Sequence, residues 1–211
     1  MKQTLLVAFS LFLIGHLRAQ VGPTEFMAGD KYLHYQHSFG QQLKPASRFG
    51  WQHIATLIKR YNTDTEKKGM PDELMNQAYI TARINNLLSL KGGVFYTNVG
   101  GYQPTLGLQL FMHKKDWIIV VAPRTDIVKN GSYEVFAMVE FSPSSSKSTR
   151  LYTRLQAMSN ANKEYHNRSY QMIRVGLDVK GFRIGGGLTL DEYGTSDKIH
   201  YNTGVFIRRM L

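Results

Sequence analysis

Over its second half the chain alternates between apolar and polar positions with a period of two. In QMIRVGLDVKGFRIGGGLTLDEYG (171–194), Ile173, Val175, Leu177, Ile184 and Leu188 fall on one face. Arg174, Asp178, Arg183 and Asp191 fall on the other, among glycines. Such alternation predicts β-strands with two unlike faces. Lys180-Gly181 is a two-residue connection whose glycine supplies the positive φ of a tight hairpin turn. Folding there sets Val179 against Phe182, Leu177 against Ile184, Gly176 against Gly185 and Ile173 against Leu188. On the polar face the same fold brings Asp178 to Arg183.

A second hairpin is expected upstream. Tyr133, Val135, Ala137, Val139 and Phe141 share one face, and Glu134, Phe136, Met138 and Glu140 the other. After the loop-forming SPSSSKS, Leu151, Thr153, Leu155 and Ala157 alternate with Arg150, Tyr152, Arg154 and Gln156. Placing Phe141 opposite Thr149 sets Glu140 against Arg150, Val139 against Leu151 and Val135 against Leu155, so both faces match. Further strands are expected over 78–90, 94–100, 105–112, 117–123 and 199–210. WIIVVAP does not alternate and reads as covered on both faces. PDELMNQAYITARINNLLSLKGG fits a helix with Pro71 at its start and glycines at its end. It also fits a strand carrying Ala78, Ile80, Ala82 and Ile84 on one face, and the strand is preferred because its neighbours need partners. RFGWQHIATLIKRYN is equally ambiguous.

The first residues change the setting. In MKQTLLVAFSLFLIGHLRAQ a lysine precedes an apolar run, Leu5 to Ile14, and then a short polar stretch ending in Ala19. That order is the mark of an export signal, too short to span a bilayer as a helix. The organisation expected is a signal over 1–19, an N-terminal segment of uncertain structure over 20–48, and one β domain over 49–211. The chain has no cysteine, which rules out disulfides, thiolate metal sites and lipid attachment through an N-terminal cysteine. Losing Lys2 and Arg18 leaves 24 basic against 15 acidic side chains, a charge of +9. Such a surplus favours anionic partners. Among these, membrane lipid phosphates and lipopolysaccharide come first, and export puts nucleic acid last.

Alternation alone also fits a soluble lipocalin-like binder with its apolar face inward. Paired charges and glycines on the polar faces suit a crowded barrel interior instead. The last strand, HYNTGVFIRRML, runs to Leu211. Counting back from there, DEYGTSDK, SNANKEYHNR and RTDIVKNGS lie on one side. KG, SPSSSKS and HKKD, shorter as a set, lie on the other. Long loops outward and short turns inward are the habit of outer-membrane barrels. The chain here resembles the small outer-membrane β-barrel proteins of Gram-negative bacteria, and a signal ending in AQ resembles exported proteins of the Bacteroidota. The resemblance rests on pattern over residues 77–211. It implies an all-β, closed antiparallel up-and-down transmembrane β-barrel of about ten strands, eight or twelve being open, in the outer membrane. It also implies contact with the barrel-assembly machinery, although that family's final aromatic residue is replaced here by Leu211, with Phe206 five residues earlier.

Lipid would then touch Val135, Val139, Leu151, Leu155, Ile173, Val175, Leu177, Ile184 and Leu188. Trp117, Tyr133, Phe141, Phe182 and Tyr201 are candidates for interfacial girdles. Glu134, Glu140, Arg150, Arg154, Arg174, Asp178, Arg183 and Asp191 would line the lumen. A salt-bridged plug is the preferred reading of these charges, and a narrow polar channel or ligand cavity comes second. Arg124, Lys129, Lys163, Arg168 and Lys198, in or beside the long loops, are candidates for lipopolysaccharide phosphates.

No catalytic site, cofactor or metal is expected. His34 and His37 lie three apart, on opposite faces of a strand, which is poor metal geometry. His166 and Ser169 resemble the histidine and serine of outer-membrane lipid A deacylases. There the two stand two apart on one face; here they stand three apart, and the match fails. GGG at 185–187 has no helix start after it and is no phosphate loop. It reads as room for Arg174 across the strand pair. The function expected is a non-enzymatic structural or surface-interaction barrel, a narrow passive pore being second. A soluble periplasmic lipocalin-like binder and an outer-membrane lipid-modifying enzyme are the alternatives.

Overall fold

The computed structural model describes residues 22–61, 71–143, 148–194 and 198–210. The export-signal residues 1–19 lie outside them, as does the terminal Leu211. Twelve strands fill most of the described chain. They are β1 (Pro23–Gly29), β2 (Tyr32–Gln42), β3 (Phe49–Arg60), β4 (Glu73–Arg83), β5 (Leu88–Thr97) and β6 (Gly101–Lys114). The others are β7 (Trp117–Asp126), β8 (Tyr133–Phe141), β9 (Thr149–Ala161), β10 (His166–Val179), β11 (Phe182–Tyr193) and β12 (Ile199–Met210).

Each strand pairs antiparallel with its neighbours in sequence, and β1 pairs with β12 from Pro23 opposite Met210 to Gly29 opposite Gly204. The ring is therefore closed. Closure matters because hydrocarbon offers backbone groups no hydrogen bonds, so a sheet crossing a bilayer can leave no edge unpaired. Pro23 and Met210 lie at one end, with the turns after β2, β4, β6, β8 and β10.

The count is twelve, at the upper limit of the sequence expectation. The additional pair comes from residues 23–42, which form β1 and β2 and complete the ring. The ambiguous stretch from Pro71 onward is strand, not helix, and the run expected over 78–90 is broken by a turn between β4 and β5. Asn85 makes that turn, its side-chain oxygen accepting from the backbone N–H groups of Leu87 and Leu88 at 2.8 and 2.9 Å. Such a side chain mimics a backbone turn.

The β10–β11 hairpin has the expected register throughout, including Asp178 opposite Arg183. Lys180 and Gly181 both take positive φ, 53° and 84°, as a two-residue turn of this hand requires. The β8–β9 hairpin differs from expectation: Phe141 lies opposite Thr153, and Glu140 opposite Arg154. The shift is four residues, so the faces are kept. Arg150, expected opposite Glu140, instead lies opposite Asp178 on β10 and pairs with it at 3.1 Å, while Glu140 turns to Arg208 and Arg183.

Candidate functional site

Strand alternation sorts the chain into two surfaces. Val135, Leu151, Leu155, Ile173, Val175, Leu177 and Ile184 are each 42–53% exposed on the outer wall. Val139 and Leu188 stand on the same wall, partly covered. Trp117, Phe141 and Phe182 mark its lower rim, near the termini, and Tyr133 and Tyr201 its upper rim. An apolar wall around an ionic interior is the reverse of a soluble binder.

Inside, every charge named from the sequence is brought into one lumen, in two groups. Near the terminal end, Glu25, Arg208, Arg183, Asp178 and Arg150 stand opposite one another in one continuous row across five strands. Glu25 reaches Arg154 at 2.7 Å and Arg174 at 3.1 Å, and all three side chains are wholly buried. Glu140 accepts from Arg208 at 3.0 Å, from the Tyr152 hydroxyl at 3.0 Å, and from Arg183. Asp178 accepts from Arg183 and Arg150. Five arginines thus share three carboxylates. Gly187 makes room for the stack: a Cβ there would stand 2.8 Å from Arg174 Cδ.

At the opposite end a second group crosses the lumen. Arg168 on β10 bonds Glu73 on β4 at 2.6 Å, and Glu73 also accepts from Arg60 and from the Tyr193 hydroxyl. Arg168 is held from behind by Asp191, itself bonded to the Tyr32 hydroxyl at 3.2 Å. β4 and β10 lie half a turn apart on the ring, so this contact spans its full width. Beside it, Arg124 makes a bidentate pair with Glu134, 2.9 and 2.7 Å, and bonds Asp126 at 2.6 Å.

Two basic residues therefore depart from expectation. Arg124 and Arg168 turn into the lumen and are held by carboxylates, which takes them away from lipid phosphates; Lys129, Lys163 and Lys198 remain exposed. Burial explains the difference, since an arginine without partners inside a barrel would cost several kcal/mol.

Alongside the terminal-end group lies a cavity of about 260 Å³, which runs from Pro23 and Met210 to the Arg124–Glu134 pair. Its walls are more apolar than the sequence suggested: Ile118, Val120, Phe136, Met138, Met158 and Tyr170 line it, with Lys91 and Gln109. The missing alternation of WIIVVAP is thereby explained. Ile118, Val120 and Ala122 line the apolar side of the lumen while Ile119 and Val121 face outward.

Glu25, Glu73, Arg60 and Arg208 were not singled out from the sequence. Arg208 alone carried a signal, as the inward member of the alternating Ile207-Arg208-Arg209; the partners of Glu25 and Glu73 depend on ring closure.

The histidines divide as expected, with corrections of detail. His34 is buried inside and His37 lies on the outer wall. There a chain of polar groups runs from the Tyr35 hydroxyl to His37 at 2.9 Å, on to His53 at 2.8 Å and to Asn76 at 3.0 Å. No group of three metal-ligating side chains occurs among the described residues. His166 and Ser169 do not fall on opposite faces as simple alternation would have it. The register between β9 and β10 shifts between His166 and Arg168, a bulge that turns both side chains outward, with His166 Nε2 2.8 Å from Ser169 Oγ.

No family description matches the chain, and no curated protein matches it. Among solved structures it is similar to one described as "NanC porin structure in rhombohedral crystal form", at 7% identity and a TM-score of 0.50, over 90% of this chain and 98% of that one. It is also similar to "KdgM porin", at 10% identity and a TM-score of 0.49 over the same shares. At 7% identity the likeness to the first speaks to the fold alone, a closed β-barrel.

Proposed function

We propose that this chain is exported through residues 1–19 and serves as a structural or surface-interaction barrel of the outer membrane, its lumen held shut by ion pairs. The contact between Arg168 and Glu73 carries the reading, because it ties opposite walls together at the end away from the termini. The row of arginines and carboxylates near the termini lines one side of the other end, across five neighbouring strands, and narrows it. A twelve-stranded ring is wide enough to pass water unless side chains fill it, and here long charged side chains do so. The apolar outer wall would meet lipid, the aromatic rims would lie at its two interfaces, and Lys129, Lys163 and Lys198 would face lipopolysaccharide phosphates. The charged, apolar and small-residue order of the first residues and the AQ ending support export from a Bacteroidota-like cell.

Two measurements test this. The folded chain should require detergent for extraction and should migrate faster unheated than boiled; extraction by salt alone would exclude a membrane barrel. In planar bilayers the wild-type protein should give no discrete current steps, and regular steps would refute the plug.

A second reading, a narrow passive pore, is favoured by the surplus of five arginines over three carboxylates beside the cavity. Such a pore would prefer anions, so its reversal potential in a salt gradient would identify it.

A further inference from the structure

Apart from the lumen, one group on the outer wall has the arrangement of a nucleophile and its base. We propose that Ser169 and His166 form an acyl-ester hydrolase dyad at the upper rim of the barrel, acting on the long-chain carboxylic esters of membrane lipids. Four groups stand in line. The Ser159 and Ser169 hydroxyls are 2.9 Å apart, Ser169 Oγ is 2.8 Å from His166 Nε2, and His166 Nδ1 is 2.8 Å from the carbonyl oxygen of Gly194. A backbone carbonyl only accepts, so the neutral imidazole must carry its proton on Nδ1. Nε2 then holds the lone pair and faces the serine hydroxyl. The Ser169 hydroxyl is within reach of two acceptors, Ser159 Oγ and His166 Nε2, and rotates between them; turned to the Nε2 lone pair, it is the proton that His166 can take. A hydroxyl within hydrogen-bond reach of a base that a third group orients is the general form of an activated nucleophile.

The local backbone is built for this. Ser169 follows the outward alternation of Ile173, Val175 and Leu177, and the bulge at Asn167 re-aims His166 onto the same side. Bulges serve to redirect a side chain next to a reactive group. The position fits an ester substrate as well. Tyr133 and His166 both lie opposite Ala161, and Tyr201 shares a row with Leu190 and Gln171, so the dyad stands between two exposed rim tyrosines. That is the depth at which lipid head groups join their chains. Below Ser169 the same face continues through Gln171, whose carboxamide supplies an N–H donor, to Ile173, flanked by Leu155 and Leu188. Four residues of strand span roughly 13 Å, a track along which an acyl chain can lie.

The step balances with water as the second substrate. Ser169 Oγ adds to the ester carbonyl as His166 Nε2 takes its proton. The tetrahedral intermediate expels the alcohol, which receives that proton, and leaves an acyl-serine. Water, deprotonated by the same nitrogen, cleaves the acyl-serine to a free carboxylic acid and returns the proton to Ser169. The chemistry uses the outer wall only, so it is independent of whether the lumen conducts.

The test is release of free fatty acid by the full folded chain, measured by mass spectrometry. It is offered in separate arms vesicles of phosphatidylethanolamine with phosphatidylglycerol, and purified lipopolysaccharide. Release in either arm is expected, and the arm identifies the lipid. Ser169→Ala and His166→Gln should each lower the rate by roughly 10²-fold or more, the contribution of a positioned base, with heat-modifiable migration unchanged to certify folding. No release by the wild type in both arms, or release that persists in folded Ser169→Ala, overturns the proposal.

Discussion

Arg168 Nη1 and Glu73 Oε2 meet at 2.6 Å although β10 and β4 stand on opposite sides of the ring. Both side chains are at least 85% buried, so their attraction is poorly screened and neither can be left alone cheaply. Removing one partner is therefore expected to do two things. Glu73→Ala should lower stability by about 3 kcal/mol and release the Arg168 guanidinium from the centre of the lumen. Planar-bilayer recordings should then show discrete steps that the wild type lacks. Glu73→Leu combined with Arg168→Leu should open the lumen further without regaining stability, because Asp191 and Arg60 then lose the partners that hold them.

The terminal-end group should behave differently according to exposure. Glu25 holds Arg154 and Arg174, all fully buried, whereas Arg150 pairs with Asp178 from a side chain 36% exposed. Glu25→Gln should cost about 3–5 kcal/mol, since it leaves buried arginines short of a carboxylate. Arg150→Ala should cost less than about 1 kcal/mol. Urea titration of the folded barrel in detergent, followed by the gel-mobility shift, ranks the two directly. Equal effects would show that the buried group is not under the electrostatic tension described.

The contrast between the two hairpins shows what alternation can and cannot specify. Lys180-Gly181 allows only one register, so every pair from Val179–Phe182 back to Ile173–Leu188 was readable in the sequence. The longer connection after β8 leaves the register free in steps of two, and Arg150, the partner expected for Glu140, is taken by Asp178 on the next strand. Faces were legible for the same reason that exact partners were not: period two survives any even shift. Glu25 and Glu73 stayed hidden because their partners lie across the lumen, at separations only ring closure determines. His166 and Ser169 were named from the sequence, but their shared face was hidden by a single added residue, since a bulge at Asn167 leaves no trace in an alternation count.

The outer wall makes a depth-dependent prediction. Ile173 sits near the middle of β10, between Leu155 and Leu188 and 42% exposed. Ile173→Arg should cost about 2–4 kcal/mol in a bilayer, where a midplane guanidinium must distort the lipid to reach water. The same change at Tyr201, near the upper rim, should cost at most about 1 kcal/mol. Folding titrations in phospholipid vesicles measure both. Equal costs at the two depths would mean that this wall does not face hydrocarbon.

Gly187 tests how tightly the lumen is packed around Arg174. An alanine Cβ there would approach Arg174 Cδ at 2.8 Å and Nη1 at 2.9 Å, distances that force the guanidinium to move. Arg174 cannot move without loosening its bond to Glu25 and its bonds to the carbonyl oxygens of Ile173 and Leu188. Overpacking of this kind costs about 1–3 kcal/mol, and Gly187→Ala is expected to fall in that range. Gly186, next in the chain but pointing outward, has open space for a Cβ. Gly186→Ala should therefore be neutral within about 0.5 kcal/mol. Both variants keep strand, charge and chain length, so a difference in their urea midpoints isolates the inward fit of one arginine against one glycine.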